Sequence, residues 1–76
     1  MARLTLSRAF GLVLREHRRK AGLTQEAFAF RAKVHPTYVG LIERGKRKPA
    51  LDSAQRLATG LGLALSSLIA EAEKRC

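Results

Sequence analysis

The chain has one cysteine, no tryptophan and two prolines among 76 residues. The cysteine, Cys76, is the last residue, so no internal disulfide framework can form and the fold must stand without covalent staples. That fits a reducing compartment, and the expected location is the cytoplasm. Aromatic residues make up only 5%, which leaves Leu, Ala, Ile, Val and Phe to build a core. Long apolar runs are missing as well. The longest uncharged stretch, Leu57 to Ala70, is broken by Gly60, Gly62, Ser66 and Ser67, and a membrane span needs roughly 20 apolar residues. Arg3 and Arg8 are followed by no continuous apolar segment with a small-residue cleavage site, so no signal peptide is expected. Strand signals, internal repeats and low-complexity tracts are absent. Acidic residues are few: six Asp+Glu against fifteen Lys+Arg, a formal net charge of +9.

These scarcities bound the answer. The length supports one domain, 1–76, and a chain this small buries only roughly 60% of the surface its unfolded form exposes. A core and a deep substrate pocket do not both fit. With 46% apolar residues the chain is no disordered polycation. The excess positive charge points to a polyanionic partner: DNA, RNA or an acidic membrane surface.

Turn signals at Gly22, Lys33 to Pro36, Gly45 to Pro49 and Gly60 to Gly62 divide the chain into five pieces. The first, about Ser7 to Ala21, places Leu6, Phe10, Val13, Leu14 and Ala21 at helical spacing, opposite Arg8, Arg15, Arg18, Arg19 and Lys20. Gly22 stops it, at a position that favours positive φ. Thr24 reads as the N-cap of a second helix running to about Arg31, with Ala27, Phe28 and Ala32 turned inward. Pro36 opens a third, about Pro36 to Arg44, because its missing N–H costs nothing at the first helical position. That helix buries Val39 and Ile42 and stops at Gly45. A fourth, about Leu51 to Leu61, starts with Asp52 near its positive end and buries Leu57, Ala58 and Leu61. A fifth, Leu65 to about Lys74, carries Leu65, Leu68, Ile69 and Ala72 at i, i+3, i+4 and i+7, with Lys74 and Arg75 at its negative end. The expected fold is all-α.

The second and third helices are separated by the short turn of a helix-turn-helix, about residues 24–45. The major groove admits one α-helix, and a projecting N-terminus presents side chains to base edges. Helix hairpins without any DNA role share this periodicity, so periodicity leaves both readings open. The residues themselves go further. Gly22-Leu23-Thr24-Gln25-Glu26, then Thr37-Tyr38-Val39 and Ile42-Glu43-Arg44-Gly45, followed by Pro49, Leu51, Leu57-Ala58, Leu61-Gly62 and Leu68, strongly resemble the Cro/phage-repressor-type (Xre-like) helix-turn-helix family. The likeness covers about Phe10 to Ile69. The small size further resembles restriction–modification controller proteins and small phage regulators.

The resemblance implies a five-helix lambda-repressor-like domain that binds double-stranded DNA as a homodimeric transcriptional regulator in a bacterial or phage setting, blocking or recruiting RNA polymerase. It assigns base reading to His35, Pro36, Thr37, Tyr38, Gly40 and Leu41. Phosphate contacts fall to Thr24, Gln25, Lys33, Arg44, Lys46, Arg47 and Lys48, with Gln25 also bracing the recognition helix. Arg18 and Glu43 match an arginine–glutamate pair tying the first helix to the end of the third. Some positions depart from the family pattern. Lys33 stands where glycine is common, so the turn differs or Lys33 takes a left-handed conformation. Pro36 and Leu41 replace polar base-reading side chains, which shifts selectivity toward groove shape and phosphate contacts. Ala50 and Ala64 stand where a hydroxyl cap is frequent, and Gly60 weakens the fourth helix.

The fifth helix carries more apolar residues than packing on the first requires. Either all of it is core, or Leu61, Leu63, Leu65, Leu68, Ile69 and Ala72, within about residues 60–76, form a two-fold interface. His17 and His35 have no Cys, Asp or Glu companions at ligand spacing, and Glu16, Glu26 and Glu43 lie on separate helices. No metal, cofactor or catalytic activity is expected. His17 reads as a partly buried residue, and Arg18-Arg19-Lys20 as a solvated face or a steering charge. Two other functions stay open: a DNA-binding antitoxin with a protein partner, and a basic protein that binds membrane or RNA.

Overall fold

The structure, a computed structural model, describes residues 3–76. The turn signals fall where helices end, dividing the chain into α1 (Leu6–Lys20), α2 (Gln25–Ala32), α3 (Pro36–Glu43), α4 (Leu51–Gly60) and α5 (Leu65–Glu73), with no strand among the described residues. Four helices terminate in the same backbone motif, in which two amides past the end return to carbonyls of the last turn. After α3, for example, Gly45 N–H donates to the Ile42 carbonyl (3.0 Å) and Lys46 N–H to that of Leu41 (2.8 Å). The residue at the bend must take positive φ. Gly22, Gly45 and Gly62 do so near +70°, and Lys33 does so at 59°. Of the two outcomes open for Lys33, the left-handed one is observed.

Helix starts are less uniform. Thr24 caps α2 as expected, its hydroxyl accepting from Ala27 N–H at 3.0 Å. Thr5 does the same for α1, accepting from Arg8 N–H at 3.1 Å. Ala50 and Ala64 give α4 and α5 no side-chain cap.

α1 packs against α5 and α3, α2 against α3 and α4, and α4 against α5. The core is built from Phe10, Val13 and Leu14 of α1, Phe28 of α2, Val39 and Ile42 of α3, Leu57 of α4 and Leu68 of α5. The inward face of α2 differs from the expected one. Ala27 is exposed and Ala29 is buried, because the stripe through Phe28 and Ala32 continues over Ala29, and Ala27 lies on the far side of Phe28. Leu6 and Ala21, at the two ends of α1, are exposed. On α4, Ala54 joins Leu57 and Ala58 in the core while Leu61 is only half-buried.

Two glycines mark close approaches between helices, and the first leaves no room for a side chain. A Cβ on Gly11 would stand 2.1 Å from the Ile42 carbonyl oxygen, so α1 and α3 meet backbone to backbone there. At Gly60, a Cβ would lie 3.2 Å from the Ala32 Cβ. The glycine expected to weaken α4 is also the one that lets α4 close on α2. At the other edge α5 is tied to α1 by polar contacts. His17 Nε2 lies 3.1 and 2.9 Å from the two Glu71 carboxylate oxygens, and His17 is half-buried. Arg75, expected at the end of its own helix, reaches across to Glu16. Its hydrogen bond holds the Glu16 carboxyl below the ordinary carboxylate range.

Gly11→Ala separates the close approach from intrinsic preference. Helix propensity alone favours alanine by about 1 kcal/mol, yet the clash with Ile42 should give a net loss of about 1–3 kcal/mol, measured by urea unfolding.

Candidate nucleic-acid interface

Glu43, the last residue of α3, is 2% exposed, and Arg18 of α1 is 8% exposed. Their contact is bidentate: Arg18 Nε donates to Glu43 Oε2 at 2.7 Å and Nη2 donates to Oε1 at 3.0 Å. Arg18 Nη1 donates to the Leu23 carbonyl at 2.8 Å, in the turn leading to α2. Gln25, the first residue of α2, donates its amide to Glu43 Oε1 at 3.1 Å. Arg8 Nη1 donates to the backbone carbonyl of Glu43 at 2.9 Å. One carboxylate and its own carbonyl thus fix α1, α2 and the intervening turn to the C-terminal end of α3. No buried side-chain nitrogen or oxygen among the described residues lacks a partner. Burying a charge pair costs several kcal/mol per ion before the attraction is counted, so the gain of this network lies in fixing one orientation of α3.

With its end so anchored, α3 projects its N-terminus next to that of α2. Arg18, Thr24, Gln25, Glu26, Pro36 and Thr37 line an open concavity between the two helix starts. Backbone N–H groups at both starts favour anionic oxygens there. The Thr24 hydroxyl accepts from Ala27 N–H and keeps its own proton to donate. His35 caps α3: its Nδ1 accepts from Thr37 N–H at 3.1 Å. In the neutral ring the proton then sits on Nε2, facing outward as a donor.

The remaining sequence-predicted residues occupy distinct places. Thr37 is exposed, whereas Pro36, Tyr38 and Leu41 are half-buried. Gly40 is buried; the Arg44 guanidinium and the Gln25 amide lie 3.1 and 3.4 Å from where its Cβ would stand. It therefore serves as the floor beneath those two side chains. Lys46, Arg47 and Lys48 are exposed in the connector after α3, and the Arg47 guanidinium carbon lies 5.5 Å from the Tyr38 ring centroid. Lys33 stands at the C-terminal end of α2, away from the concavity. In α5, Leu68 and Ala72 are fully buried in the chain's own core. They have no surface to give a second copy, which corrects their expected place at an interface. Leu61, Leu63, Leu65 and Ile69 are half-buried around that core.

Sequence reading missed Arg8, the His35 cap and the Arg47–Tyr38 stack. Arg8 and Glu43 lie on different helices, and nothing in their local sequence marks the pair. Histidine is not a usual cap, and a cation over a ring leaves no periodic trace.

A short helix held by its far end, with its start exposed beside a second helix start and cations following it, is the arrangement of a helix-turn-helix. The comparisons agree. The family model described as Helix-turn-helix matches residues 14–68. Control protein C.MunI of a Mycoplasma species is 39% identical over 66 residues, 86% of this chain and 89% of the relative. Control protein C.BamHI of Bacillus amyloliquefaciens is 36% identical over 61 residues, 79% of this chain and 75% of the relative. The crystal structure of the restriction-modification controller protein C.AhdI from Aeromonas hydrophila aligns with a TM-score of 0.78 at 41% identity, covering 80% of this chain and 92% of that one. The chain belongs to the helix-turn-helix family of DNA-binding transcriptional regulators and is not an enzyme.

Removing one partner of the buried pair strands the other. Arg18→Ala should lower unfolding free energy by about 3–5 kcal/mol, and the double change Arg18→Met with Glu43→Leu should recover most of that loss. Chemical denaturation of the single and double variants checks both outcomes.

Proposed function

We propose that the chain is a homodimeric controller-type regulator that binds a near-palindromic operator in the bacterial cytoplasm, inserting α3 into the major groove. The observation that carries this reading is the network on Glu43. It presents the start of α3 beside that of α2 with cationic side chains on either side. Kinship to named control proteins supports the regulatory setting. His35, Thr37, Tyr38 and Leu41 face base edges. Thr24, Gln25, Arg44, Lys46 and Lys48 contact phosphates, with Lys33 at the margin. Bound beside a promoter, the dimer blocks or recruits RNA polymerase.

Electrostatics favours one face for self-association. Between Pro49 and Ala70 the only charges are Asp52 and Arg56, in a chain of net charge +9. Leu6, Phe10, Pro49, Leu51, Leu65 and Ile69 line a groove there, where α1, α4 and α5 begin. Leu51 protrudes beside it, 75% exposed, and Leu4 and Leu6 are exposed as well. Two copies meeting across the connector after α3 would bring Arg44, Lys46, Arg47 and Lys48 against their like. A two-fold contact here places Leu51 of each chain against the groove of the other. The membrane reading finds less support, since the exposed large apolar residues among those described are spread over several segments rather than along one helix.

Selection of bound duplexes from a random pool tests the reading. A symmetric site should be enriched, and failure to enrich one overturns it. On that site, a dimer making about eight phosphate contacts should show a log–log salt slope of about −7. Lys48→Ala should weaken binding to all duplexes alike and flatten this slope, whereas Thr37→Ala should relax preference at one base pair. Leu51→Glu should sediment as a folded monomer at concentrations where the native chain is a dimer. A dimer that survives that change would move the interface elsewhere.

A further inference from the structure

We propose that the groove between the end of α2 and the outer side of α4 is an anion site that takes a short polyphosphate chain, free or carried by a nucleotide. The site is separate from the concavity at the helix starts and stands whether or not α3 reads an operator. Arg31, Ala32 and Lys33 form one wall, and Gln55, Arg56 and Thr59 the other, around a hollow of about 320 Å³. Its floor is tight, because a Cβ on Gly60 would lie 3.2 Å from the Ala32 Cβ. Arg31, Lys33 and Arg56 are exposed, and none of them is in an ion pair among the described residues. The acidic residues of the same two helices, Glu26 and Asp52, are in no ion pair either. Three positive charges around one hollow repel one another, and a bound anion removes that cost.

Helix electrostatics accounts for only part of this cluster. Cations in the last turn complement the negative end of a helix, which suits Arg31 and Lys33 to the end of α2. Arg56 has no such reason, since it stands in the middle of the ten-residue α4. Lys33 gives an independent sign. Its φ of 59° is left-handed, and the other turns with positive φ use glycine. A lysine held in a conformation that its Cβ disfavours points to a use for its side chain. Two guanidinium forks can each take a pair of phosphate oxygens, and the ammonium adds a point charge. Gln55 and Thr59 supply neutral donors. A single phosphate, with a charge of about −2, would leave one of the three cations uncompensated. A chain of two or three phosphates compensates them all. No aromatic side chain lines the groove, so phosphates rather than a base are what it recognises. Leu51, proposed at the two-fold face, and Arg56 are roughly 140° apart around α4, so pairing through Leu51 leaves the groove open.

The test uses the full chain with inorganic tripolyphosphate and adenosine triphosphate as probes, titrated calorimetrically at constant ionic strength. One site per chain is expected. Equal affinity for the two probes assigns recognition to the phosphates alone, and tighter binding of one probe assigns its source. Arg31→Gln and Arg56→Gln should each weaken tripolyphosphate about tenfold. Arg15→Gln and Arg19→Gln, which remove the same charge from exposed positions of α1, should change it less than twofold. Lys33→Gly should move two readouts in opposite directions: it relieves the left-handed turn and raises the urea midpoint, yet weakens tripolyphosphate about tenfold. The proposal is overturned if neither probe binds. It is also overturned if all these substitutions weaken binding alike, the behaviour of diffuse attraction to a chain of net charge +9. Arg31→Gln and Arg56→Gln variants that hold tripolyphosphate as the native chain does but bind duplex DNA more weakly would overturn it as well, making the groove part of the DNA surface.

Discussion

The buried contact between Arg18 and Glu43 is the constraint on which the arrangement of this molecule depends. α3 is eight residues long, too short to be stable by its own backbone bonds. Its inner side gives the core little more than Val39 and Ile42. Apolar packing of that size leaves rotation about the helix axis loosely defined. The bidentate pair removes this freedom, because a guanidinium fork meets a carboxylate in a plane. Gln25 and Leu23 complete the hydrogen bonding, and Arg8 holds the carbonyl at the same end. The stiffness is concentrated at the buried end of α3, and the opposite end is left to meet a ligand.

Charge and cap placement follow the same division. Cations cluster just after α3, at Arg44, Lys46, Arg47 and Lys48, while the stretch from Pro49 to Ala70 holds only Asp52 and Arg56. The two helices without a side-chain cap, α4 and α5, begin on that charge-poor side. α2 and α3, which form the turn motif, both carry a capping side chain, Thr24 and His35. Local order is thus strongest where a partner must be met with fixed geometry. At the charge-poor face, burial between two copies would supply what the caps do not.

Much of this was legible in the sequence because its punctuation is strong. Gly22, Gly45 and Gly62 mark three helix ends, Pro36 a start, and Thr24 a cap, so element boundaries came out within a residue or two. Lys33 was legible as an anomaly, and the backbone resolved it. The inward face of α2 was not readable: in eight residues the two alanines on either side of Phe28 give no hydropathy contrast, and the choice between Ala27 and Ala29 is made by packing against α3 and α4. At the interface, residue types and family likeness located the concavity and the ion pair. They could not give the burial of Gly40, Leu68 and Ala72 or the fold of Arg47 back onto Tyr38. Those depend on contacts between segments far apart in sequence or on the path of a connector.

The missing side chain at Gly11 has a wider consequence. α1 supports α3 from behind through backbone alone at that point, and the carboxylate that orients α3 is also on its hidden side. Thr37 and the connector residues Lys46, Arg47 and Lys48 are exposed and carry almost none of the folding energy. Substitution there can therefore change which operator is preferred without a folding penalty. Recognition and architecture are separately mutable in this chain, so a lineage carrying it can acquire a new address on the genome by drift at a few exposed positions.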